Sequence, residues 1–421
     1  MKSKRIGVFG LWHLGCVYAT SLAKLGFEVE ASDFDKRIVG NLQKGKPPIF
    51  EPGMEDIIKA KNNKGLNFVD IKKLFKNKDY IFIAHDLPVD DQDRVKTKLI
   101  DKTVKLIKKY GEPETTYVIS SQVPLGTCKK VAEVAKKVIY FPENVRLGKA
   151  YETFLTPERI ILGSNDRSLM EKFEKDFIVF NCPFIKMSWE SAEMVKHALN
   201  SYLATCVSYS SELADLCELL GANMLDVVSA LKTDKRVSPF APINPGMGFA
   251  GATLGRDIKS LKYLGLKKKY KTKLFNTVYR VNQERLTWLI GKIKDNIGNI
   301  KGKNIGILGL TYKPGTNTLR RSMSLELAEK LNKVGAIIKA YDPVIVEKVE
   351  THKFINISKN YSDFFKDLDA VVLMTEWPEF KEINAKDAGK LMKKRVVFDT
   401  KNFLNKKLFE DNKFLYVGTG I

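Results

Sequence analysis

The sequence has no apolar run long enough to cross a membrane and no recognisable export signal. A membrane-spanning helix needs about eighteen or more consecutive apolar residues, and no such run occurs among the 421 residues. The apolar segment that begins at Ile6 follows Lys2, Lys4 and Arg5 without the small-residue cleavage site of a secretory signal. We therefore expect a cytoplasmic protein that has no membrane partner.

Cysteine and histidine are also scarce. The five cysteines and four histidines show neither the spacing of a metal site nor that of a redox motif, and an odd number of cysteines argues against a disulfide framework. We predict reduced cysteines and no metal site. For His13, His85, His197 and His352 we expect packing or surface roles rather than metal binding.

The charge is strongly one-sided, at +22 with histidine neutral. The lysines are spread along the whole chain in short clusters such as Lys267–Lys269, and few aromatic residues interleave with them. A nucleic-acid site would concentrate this charge on one face. The pattern favours a solvated lysine-rich surface without a nucleic-acid partner, whose field would steer an anionic small substrate towards the protein.

The chain is too long for one ordinary domain, and its patterns predict an α/β fold. A strand at residues 5–9, a glycine-bearing turn, a helix and a second strand at Glu28–Ser32 form a βαβ opening. Charged helical stretches separate the strand patterns that follow, which predicts a parallel doubly wound sheet up to about residue 185. These strand patterns lie at Tyr80–Ala84, Thr116–Ser120 and Arg159–Gly163.

Two long helical patterns follow, at Ser188–Leu220 and Leu274–Ile297, and then the α/β pattern restarts. A strand at Asn304–Leu308, a turn at Gly309, a helix and a strand at Ile337–Tyr341 repeat the opening plan. We predict two Rossmann-like doubly wound parallel-sheet domains joined by a helical segment. The expected boundaries are 1–185, 186–300 and 301–421.

The turn after the first strand, Gly-Leu-Trp-His-Leu-Gly, resembles a dinucleotide-binding fingerprint. Gly10 and Gly15 take the first and third glycine places, and Trp12 takes the second, where glycine usually lets the backbone approach the pyrophosphate. About twenty residues later, Asp33 is placed to accept the ribose hydroxyls and to repel a 2′-phosphate, which favours NAD over NADP. The predicted NAD contacts are Gly10, Trp12, His13, Leu14, Gly15 and Asp33. A structural turn without a cofactor is the competing interpretation.

Segments along nearly the whole chain resemble motifs of the UDP-glucose/GDP-mannose dehydrogenase family. Residues 248–257, Gly-Phe-Ala-Gly-Ala-Thr-Leu-Gly-Arg-Asp, are similar to its catalytic loop, Gly-Phe-Gly-Gly-x-Cys-Phe-Pro-Lys-Asp. Residues 41–53 and 121–127 are similar to its Asn-x-Gly-x-x-Pro-Ile-x-Glu-Pro-Gly and Ser-Thr-Val-Pro-x-Gly-Thr stretches. Further matches are Pro142 with Glu143, the helix carrying Glu193, Lys196 and Asn200, residues 309–320, Asp342 with Pro343, and residues 375–377.

The resemblance implies an NAD-dependent enzyme that oxidises a nucleotide-activated hexose such as UDP-glucose, for cell-surface polysaccharide or a modified sugar. The family oxidises the C6 alcohol to a carboxylate in two hydride transfers, and its cysteine holds the intermediate as a thiohemiacetal and then a thioester. Thr253 stands at the position of that cysteine. An alkyl hydroxyl is a poor nucleophile without an adjacent base, so we expect the covalent route to be lost.

Other replacements fall on the second half-reaction, whereas residues implied for the first are retained. Gln122 replaces the family's water-positioning threonine. Lys196 and Asn200 are four residues apart on one helical face, and by resemblance they stabilise the developing oxyanion. By resemblance, Asp257 holds a water or the lysine, and Glu143 acts in acid/base chemistry. The implied catalytic set is Lys196, Asn200, Asp257, Glu143 and Thr253.

The resemblance also implies the contacts of the nucleotide and the sugar. Lys313 and Arg320 in the C-terminal domain, and Arg236 near a dimer interface, would contact the uridine diphosphate end or the sugar of a UDP-hexose, because cationic side chains suit a diphosphate. The resemblance adds Phe249 and Gly251 to the substrate contacts and Ser121 to the cofactor contacts. The central helical segment would form the interface of a homodimer.

Three functional interpretations stay open. A two-electron enzyme would stop at an aldehyde or ketone, or would return the hydride after a change elsewhere on the sugar. A four-electron enzyme would oxidise the hydrated aldehyde without a covalent intermediate. A catalytically silent paralogue, suggested by Trp12 and Thr253, would only bind NAD or a nucleotide sugar, although retention of Lys196, Asn200 and Asp257 argues against it. The replacements cluster on the second half-reaction and so favour the two-electron case.

Overall fold

The computed structural model describes residues 3–49, 51–62, 64–90, 95–142, 145, 148–250, 253–347 and 349–421. The chain forms two compact units, Met1–Ala198 and Leu199–Ile421. Within the described ranges, no helix is both long enough and apolar enough to cross a membrane.

The first unit alternates strands with helices. Its strands are β1 (Arg5–Phe9), β2 (Glu28–Ser32), β3 (Leu66–Phe68), β4 (Tyr80–Ile83), β5 (Thr116–Ile119), β6 (Lys137–Tyr140), β7 (Ile160–Gly163) and β8 (Phe184–Met187). Its helices are α1 (His13–Lys24), α2 (Lys36–Gln43), α3 (Met54–Lys61), α4 (Ile71–Leu74), α5 (Lys98–Tyr110), α6 (Thr127–Ala132), α7 (Ala150–Leu155) and α8 (Arg167–Asp176), and a 3-10 turn lies at Ile178–Phe180. The long helix α9 (Trp189–Leu220), of 32 residues, begins in this unit and ends in the second.

The eight strands form one sheet in the order β3-β2-β1-β4-β5-β6-β7-β8. The strand order reverses between β1 and β4, and the crevice at the carboxyl ends of such a pair is where open α/β sheets bind ligands. Tyr140 and Gly163 pair β6 with β7 in the antiparallel sense, so the sheet departs from the all-parallel prediction. A buried strand shows no direction in its apolar pattern, which explains the difference.

Both faces of this sheet are buried, as the alternate residues of β4 show. Tyr80 and Phe82 lie in one apolar cluster, whereas Ile81 and Ile83 lie in another. Successive side chains of a strand point to opposite faces, so each face requires its own covering of helices. A strand of this kind is a continuous apolar run, which is why β4 could be predicted from the sequence.

The second unit contains the rest of the chain. Its strands are β9 (Asn304–Leu308), β10 (Ile337–Tyr341), β11 (Ile355–Ile357), β12 (Ala370–Leu373), β13 (Val396–Asp399) and β14 (Leu415–Gly418). Its helices after α9 are α10 (Met224–Leu231), α11 (Thr253–Lys267), α12 (Lys273–Ile297), α13 (Met323–Lys333), α14 (Tyr361–Phe365), α15 (Ala385–Leu391) and α16 (Lys406–Asp411), and 3-10 turns lie at Glu350–His352 and Pro378–Glu382.

The strands of the second unit form a six-stranded sheet in the order β11-β10-β9-β12-β13-β14. The pairs within it are parallel. Leu286, Leu289 and Ile293 of α12 pack into the same cluster as Ile305 and Ile307 of β9, so this helix belongs to the core of the unit. The predicted fold class, two Rossmann-like sheets joined by a helical segment, is confirmed.

Candidate active site

The turn between β1 and α1 accepts only glycine at two positions. Gly10 has a φ of +99°, which L side chains rarely adopt. A Cβ on Gly15 would overlap the carbonyl oxygen of Gly10, because α1 begins directly against the end of β1. This close strand-to-helix approach is the geometry that a dinucleotide-binding turn requires.

Trp12 replaces the middle glycine of the fingerprint and stands at the N-cap of α1. Its φ is −84° and its ψ is −138°. Its side chain is 47% exposed. The backbone at Trp12 thus lies outside the left-handed region that favours glycine, and the indole lies at the surface.

Asp33 follows β2, and its carboxylate is oriented by two backbone N–H groups. Leu11 N–H donates to Oδ2 at 2.6 Å, and Asp35 N–H donates to Oδ1 at 2.8 Å. An ionised carboxylate has about four acceptor positions, so each oxygen retains capacity for a ribose hydroxyl. Asp33 is thus held at the end of β2 in the place where the sequence predicts it.

The side chain of His13 faces inward rather than towards solvent. Its Nε2 lies 2.9 Å from Oε2 of Glu51, a carboxylate that is 3% exposed. Glu51 also accepts from the N–H groups of Gly148, at 3.1 Å, and Ala150, at 2.8 Å. One buried carboxylate therefore fixes the start of α1 against the start of α7, and the ring of His13 takes a positioning role at the predicted cofactor site.

Asp86 lies just past β4 and contacts the N-terminus of α1, a contact that the sequence patterns do not predict. Its Oδ2 accepts from Leu14 N–H at 3.0 Å. The first N–H groups of a helix have no partner within the helix, and they are the usual donors to a bound phosphate. The sequence signal for this contact is an acidic residue directly after β4, the strand that pairs with β1 where the strand order reverses.

His85 is a packing residue. Its Nε2 lies 2.9 Å from Thr103 Oγ1, and the Thr103 hydroxyl donates to Leu99 O, so the histidine is the donor. Its ring stacks on Phe34 with centroids 5.6 Å apart. Burial lowers the pKa of His85 to about 4, which keeps the ring neutral at physiological pH.

Two polar residues anchor the loop after β5. Ser121 is buried and its hydroxyl donates to Ile83 O at 3.2 Å, which holds the loop against the end of β4. Glu193 of α9 accepts from Gly126 N–H at 2.6 Å and from Cys128 N–H at 2.9 Å, at the start of α6. The carboxylate thereby ties α9 to this loop three residues before Lys196.

A buried pair joins α9 to α11 in the second unit. Asn200 Nδ2 donates to Asp257 Oδ2. Asn200 is 5% exposed and Asp257 is fully buried. Lys196, which is half-buried, lies four residues before Asn200 in α9, so helical geometry sets both on one face. The structure thus brings together two members of the implied catalytic set and places a third one turn away along the helix.

Thr253 is the first residue of α11, a helix of 15 residues. Its side chain is exposed. Asp257 lies four residues further on, so the two share one face of the helix. The implied catalytic residue Glu143 and the implied substrate contact Gly251 lie outside the described residues.

The segment before Thr253 is held by Asn282 of α12. Asn282 Oδ1 accepts from Phe249 N–H at 2.7 Å, and its Nδ2 donates to Phe249 O at 3.1 Å. A Cβ on Gly248, whose φ is +89°, would overlap Asn282 Oδ1. One side-chain amide thus fixes the backbone of the loop. Asn282 is not predicted from the sequence, because an asparagine inside a helical pattern gives no signal of a partner 33 residues away.

The second unit repeats the turn of the first. Gly309 ends β9 with a φ of +86°, as Gly10 ends β1. Asp342 Oδ2 accepts from Leu310 N–H at 2.7 Å, and its Oδ1 accepts from Val344 N–H at 3.0 Å. Asp33 makes the same two bonds in the first unit. The duplicated plan read from the sequence therefore extends to the carboxylate that orders each turn.

The five cysteines all lie in the described part of the chain, and none forms a disulfide. Burial raises the pKa of the Cys16 thiol, and the carboxylates of Asp86 and Asp33 raise it further. Cys16 therefore stays a neutral thiol beneath the dinucleotide turn. Among the residues that the structure describes, no cluster of three or more histidine, cysteine or acidic side chains is suited to hold a metal ion.

Comparison with known proteins relates three parts of the chain to one family. Residues 4–180 match the NAD binding domain, residues 190–284 the central domain and residues 306–406 the UDP binding domain of the UDP-glucose/GDP-mannose dehydrogenase family. The UDP-glucose 6-dehydrogenase TuaD of Bacillus subtilis (strain 168) is 30% identical over 432 residues, which cover 99% of this chain and 93% of the relative. This chain belongs to the UDP-glucose/GDP-mannose dehydrogenase family.

Solved structures share the fold. A UDP-glucose dehydrogenase from the hyperthermophilic archaeon Pyrobaculum islandicum has a TM-score of 0.88 at 26% identity, covering 99% of this chain and 98% of that one. A UDP-N-acetyl-mannosamine dehydrogenase from Staphylococcus aureus has a TM-score of 0.79 at 25% identity, with coverage of 99% and 98%. The family relation establishes an NAD-dependent nucleotide-sugar dehydrogenase, and these relatives carry the names of two different sugars.

NAD is the cofactor, and the residues of this UDP-glucose/GDP-mannose dehydrogenase family member fit it. Glycine is required at Gly10 and Gly15 because α1 starts close to the end of β1. This close approach lets the N–H groups of α1 bind a pyrophosphate. Asp33 is oriented to accept ribose hydroxyls. The turn would hold the pyrophosphate and Asp33 would hold the ribose next to the adenine.

Two residues implied for the nucleotide end lie after β9 in the UDP binding domain. The Nζ of Lys313 lies 5.6 Å from the ring centroid of Tyr312. Arg320 is exposed and lines an open cleft of about 400 Å³ together with Ser322 and His352. Lys313 does not line this cleft. Arg320 thus lines this cleft without Lys313.

Arg236, the third implied cation, is on the surface after α10. Its side chain is 88% exposed, and its guanidinium lies 2.7 Å from the carboxylate of Asp234. The backbone N–H of Arg236 also donates to Asp234 at 2.9 Å. This exposed pair, two residues apart, contributes little to folding stability.

Proposed function

We propose that this chain oxidises a UDP-hexose with NAD and stops after one hydride transfer, at the two-electron product. The supporting observation is the buried Asn200–Asp257 pair, which lies one helical turn from Thr253. Thr253 stands at the position where the family resemblance expects a cysteine. The chain thus retains groups for stabilising an oxyanion but has a threonine in place of the nucleophile of the second step. The UDP binding domain supports the choice of a uridine nucleotide.

The proposed first step needs a hydride acceptor and groups that stabilise the negative charge developing on the sugar oxygen. NAD supplies the acceptor when it is bound. Lys196 and Asn200 stabilise the sugar oxygen as its proton leaves and the carbon becomes a carbonyl. Asp257 orients the amide of Asn200 by accepting from its Nδ2. The products are the carbonyl compound, NADH and one proton.

The proposed stop follows from the chemistry of Thr253. A hydroxyl attacks a carbonyl efficiently only when an adjacent base takes its proton. The one carboxylate placed on the same face of α11, that of Asp257, is turned inward to Asn200. Thr253 therefore forms no covalent adduct with the carbonyl product, which leaves the site instead.

The test counts NADH formed per sugar consumed, with excess NAD and a limiting panel of UDP- and GDP-sugars. We expect turnover with a UDP-hexose, about one NADH per sugar, and an aldehyde or ketone by mass spectrometry. Two NADH per sugar with a uronate would contradict the two-electron proposal and indicate oxidation of a hydrated aldehyde. Turnover of GDP-sugars alone would contradict the uridine assignment.

A catalytically silent protein that binds NAD or a nucleotide sugar is the second candidate. It is motivated by Thr253, the first residue of α11, which stands in place of the cysteine that the family resemblance expects. The same assay decides between the two candidates. If no sugar in the panel yields NADH while cofactor binding is retained, the silent protein is the correct interpretation.

We further propose that the chain forms a homodimer through the second half of α9. Tyr202, Tyr209 and Leu216 are 57%, 51% and 49% exposed, and they recur every seven residues on one face. Large apolar side chains in a stripe of this kind mark an interaction surface. Other exposed apolar side chains of this unit include Leu219, Leu220, Leu225 and Phe240.

Sedimentation velocity measures the proposed dimer. We expect twice the chain mass for the wild type, and a monomer when both Tyr209 and Leu216 are replaced by lysine, because two desolvated charges oppose burial of the stripe. Val334→Lys is the control, since Val334 is 42% exposed but is the C-cap residue of α13. A wild-type monomer, or a double variant that remains dimeric, would rule out this interface.

A further inference from the structure

The N-terminus of α1 is the part of the cofactor site that carries an unexpected group. Leu14 lies in the first turn of the helix, and its N–H donates to Asp86 Oδ2 at 3.0 Å. A helix N-terminus attracts anions through its unpaired N–H groups and its partial positive charge. In this chain a side-chain carboxylate is the anion.

We propose that Asp86 competes with the cofactor pyrophosphate for the N-terminus of α1 and thereby lowers the affinity of the chain for NAD and NADH. The inference rests on the proposed function, because it concerns the same cofactor site. It assigns an affinity-determining role to a residue that is absent from the dinucleotide fingerprint.

The position of Asp86 follows from the sheet. β4 pairs with β1 in parallel, and Ala84 N–H donates to Phe9 O at 2.8 Å, so the two strand ends stay together. The chain after Ala84 therefore enters the crevice at the reversal of strand order. His85 turns into the core, and Asp86 comes next to the start of α1.

Negative charge converges on this turn from two strands. Asp33 comes from the end of β2, and Asp86 follows β4. Both carboxylates raise the pKa of the Cys16 thiol beneath the turn, in addition to the larger effect of burial. Asp33 has a ribose to bind. Asp86 instead repels the pyrophosphate, which is also negatively charged, at the site where the phosphate needs hydrogen-bond donors.

Asp86 is exposed, so its side chain is able to turn away without opening the core. Cofactor binding then replaces the bond to Leu14 N–H with a bond to a phosphate oxygen. A charge-assisted hydrogen bond that must first be broken weakens binding by about 10-fold or more. NAD and NADH share the same diphosphate, so both are affected, and release of NADH is accelerated.

The test is a fluorescence titration of NADH with the full-length wild type, Asp86→Asn and Asp86→Ala. We expect Asp86→Ala to bind NADH about 10-fold more tightly than the wild type. Asp86→Asn keeps an acceptor for Leu14 N–H but loses the charge, so we expect an intermediate gain and an intact fold. Adenosine, which lacks the diphosphate and is measured by displacement of NADH, should bind equally to all three proteins.

Asp166→Asn is the matched control. Asp166 is an exposed aspartate that accepts from Leu169 N–H, at 3.1 Å, at the start of α8 in the same unit. We expect no change in NADH affinity, which separates a local effect from a change in net charge. If the wild type binds NADH and neither Asp86 variant binds it more tightly, the competition is wrong although the cofactor assignment stands. An equal gain for adenosine would also overturn it, and no NADH binding by any variant would contradict the proposed function as well.

Discussion

Replacement of Lys196 by alanine is expected to lower kcat by about 10² to 10³-fold, because removal of one donor to a developing oxyanion has an effect of that size. α9 carries Lys196 one turn before Asn200, and Asn200 is fixed by Asp257. The lysine supplies the only full positive charge of this implied trio. Its loss leaves the developing charge on the sugar oxygen with the neutral amide alone.

The measurement separates catalysis from binding. The affinity for NADH should stay within about 2-fold of the wild-type value, and the UDP-sugar should protect the variant against thermal unfolding as it protects the wild type. The reason is that the interaction of Lys196 with the sugar oxygen strengthens in the transition state rather than in the bound substrate. Lys196→Arg should recover part of kcat, because it keeps the charge but changes its geometry. Equal weakening of kcat and of both affinities would show that Lys196 has a structural role instead.

Lys262→Met is the matched control for Lys196→Ala. Lys262 is a half-buried lysine of α11, and its Nζ lies 5.1 Å from the ring centroid of Tyr279. This variant likewise removes one positive charge from a half-buried lysine. Unchanged kcat in this variant and a large loss in Lys196→Ala would together assign the effect to the oxyanion role.

The sequence predicted best the five-residue strands that open the two repeated halves of the chain. β1, β2, β9 and β10 have the predicted bounds: β1 and β9 each bury four of five residues, and β2 and β10 bury apolar residues at alternate positions. The strand β3, Leu66–Phe68, was missed since it has three residues with an asparagine in the middle. A strand of this length forms because its neighbour β2 provides the pairing partner, and that information is not local.

The residues of the candidate site likewise differ in whether the sequence predicts them. Gly10, Gly15 and Asp33 follow from the sequence because each is demanded by the local geometry of a strand, a turn and a helix. Asp86 and Asn282 act on residues 72 and 33 positions away in the chain. Contacts between residues so far apart in the chain depend on how the helices and strands pack, and the periodic pattern of the sequence does not predict them.

Replacement of Thr253 by cysteine is expected to raise the NADH formed per sugar from about one to about two, because it restores a nucleophile for the second oxidation. Thr253 is exposed and begins α11, and the partial positive charge of a helix N-terminus lowers the pKa of a cysteine placed there. The thiolate adds to the aldehyde carbon and the carbonyl oxygen takes a proton; loss of a hydride from that carbon to a second NAD, and of the hydroxyl proton to solvent, would then give a thioester.

The resulting thioester must be hydrolysed, and Gln122 stands where the family positions a water with threonine. We therefore expect the second oxidation to be faster than hydrolysis in Thr253→Cys, so that intact-protein mass spectrometry detects a covalent sugar adduct. Thr253→Ser is the matched control: it keeps a hydroxyl and should show about one NADH per sugar and no adduct. A cysteine variant with neither an adduct nor additional NADH would mean that Thr253 does not face the reacting carbon. In that case the residue that ends the reaction after one hydride transfer must be sought elsewhere in the loop.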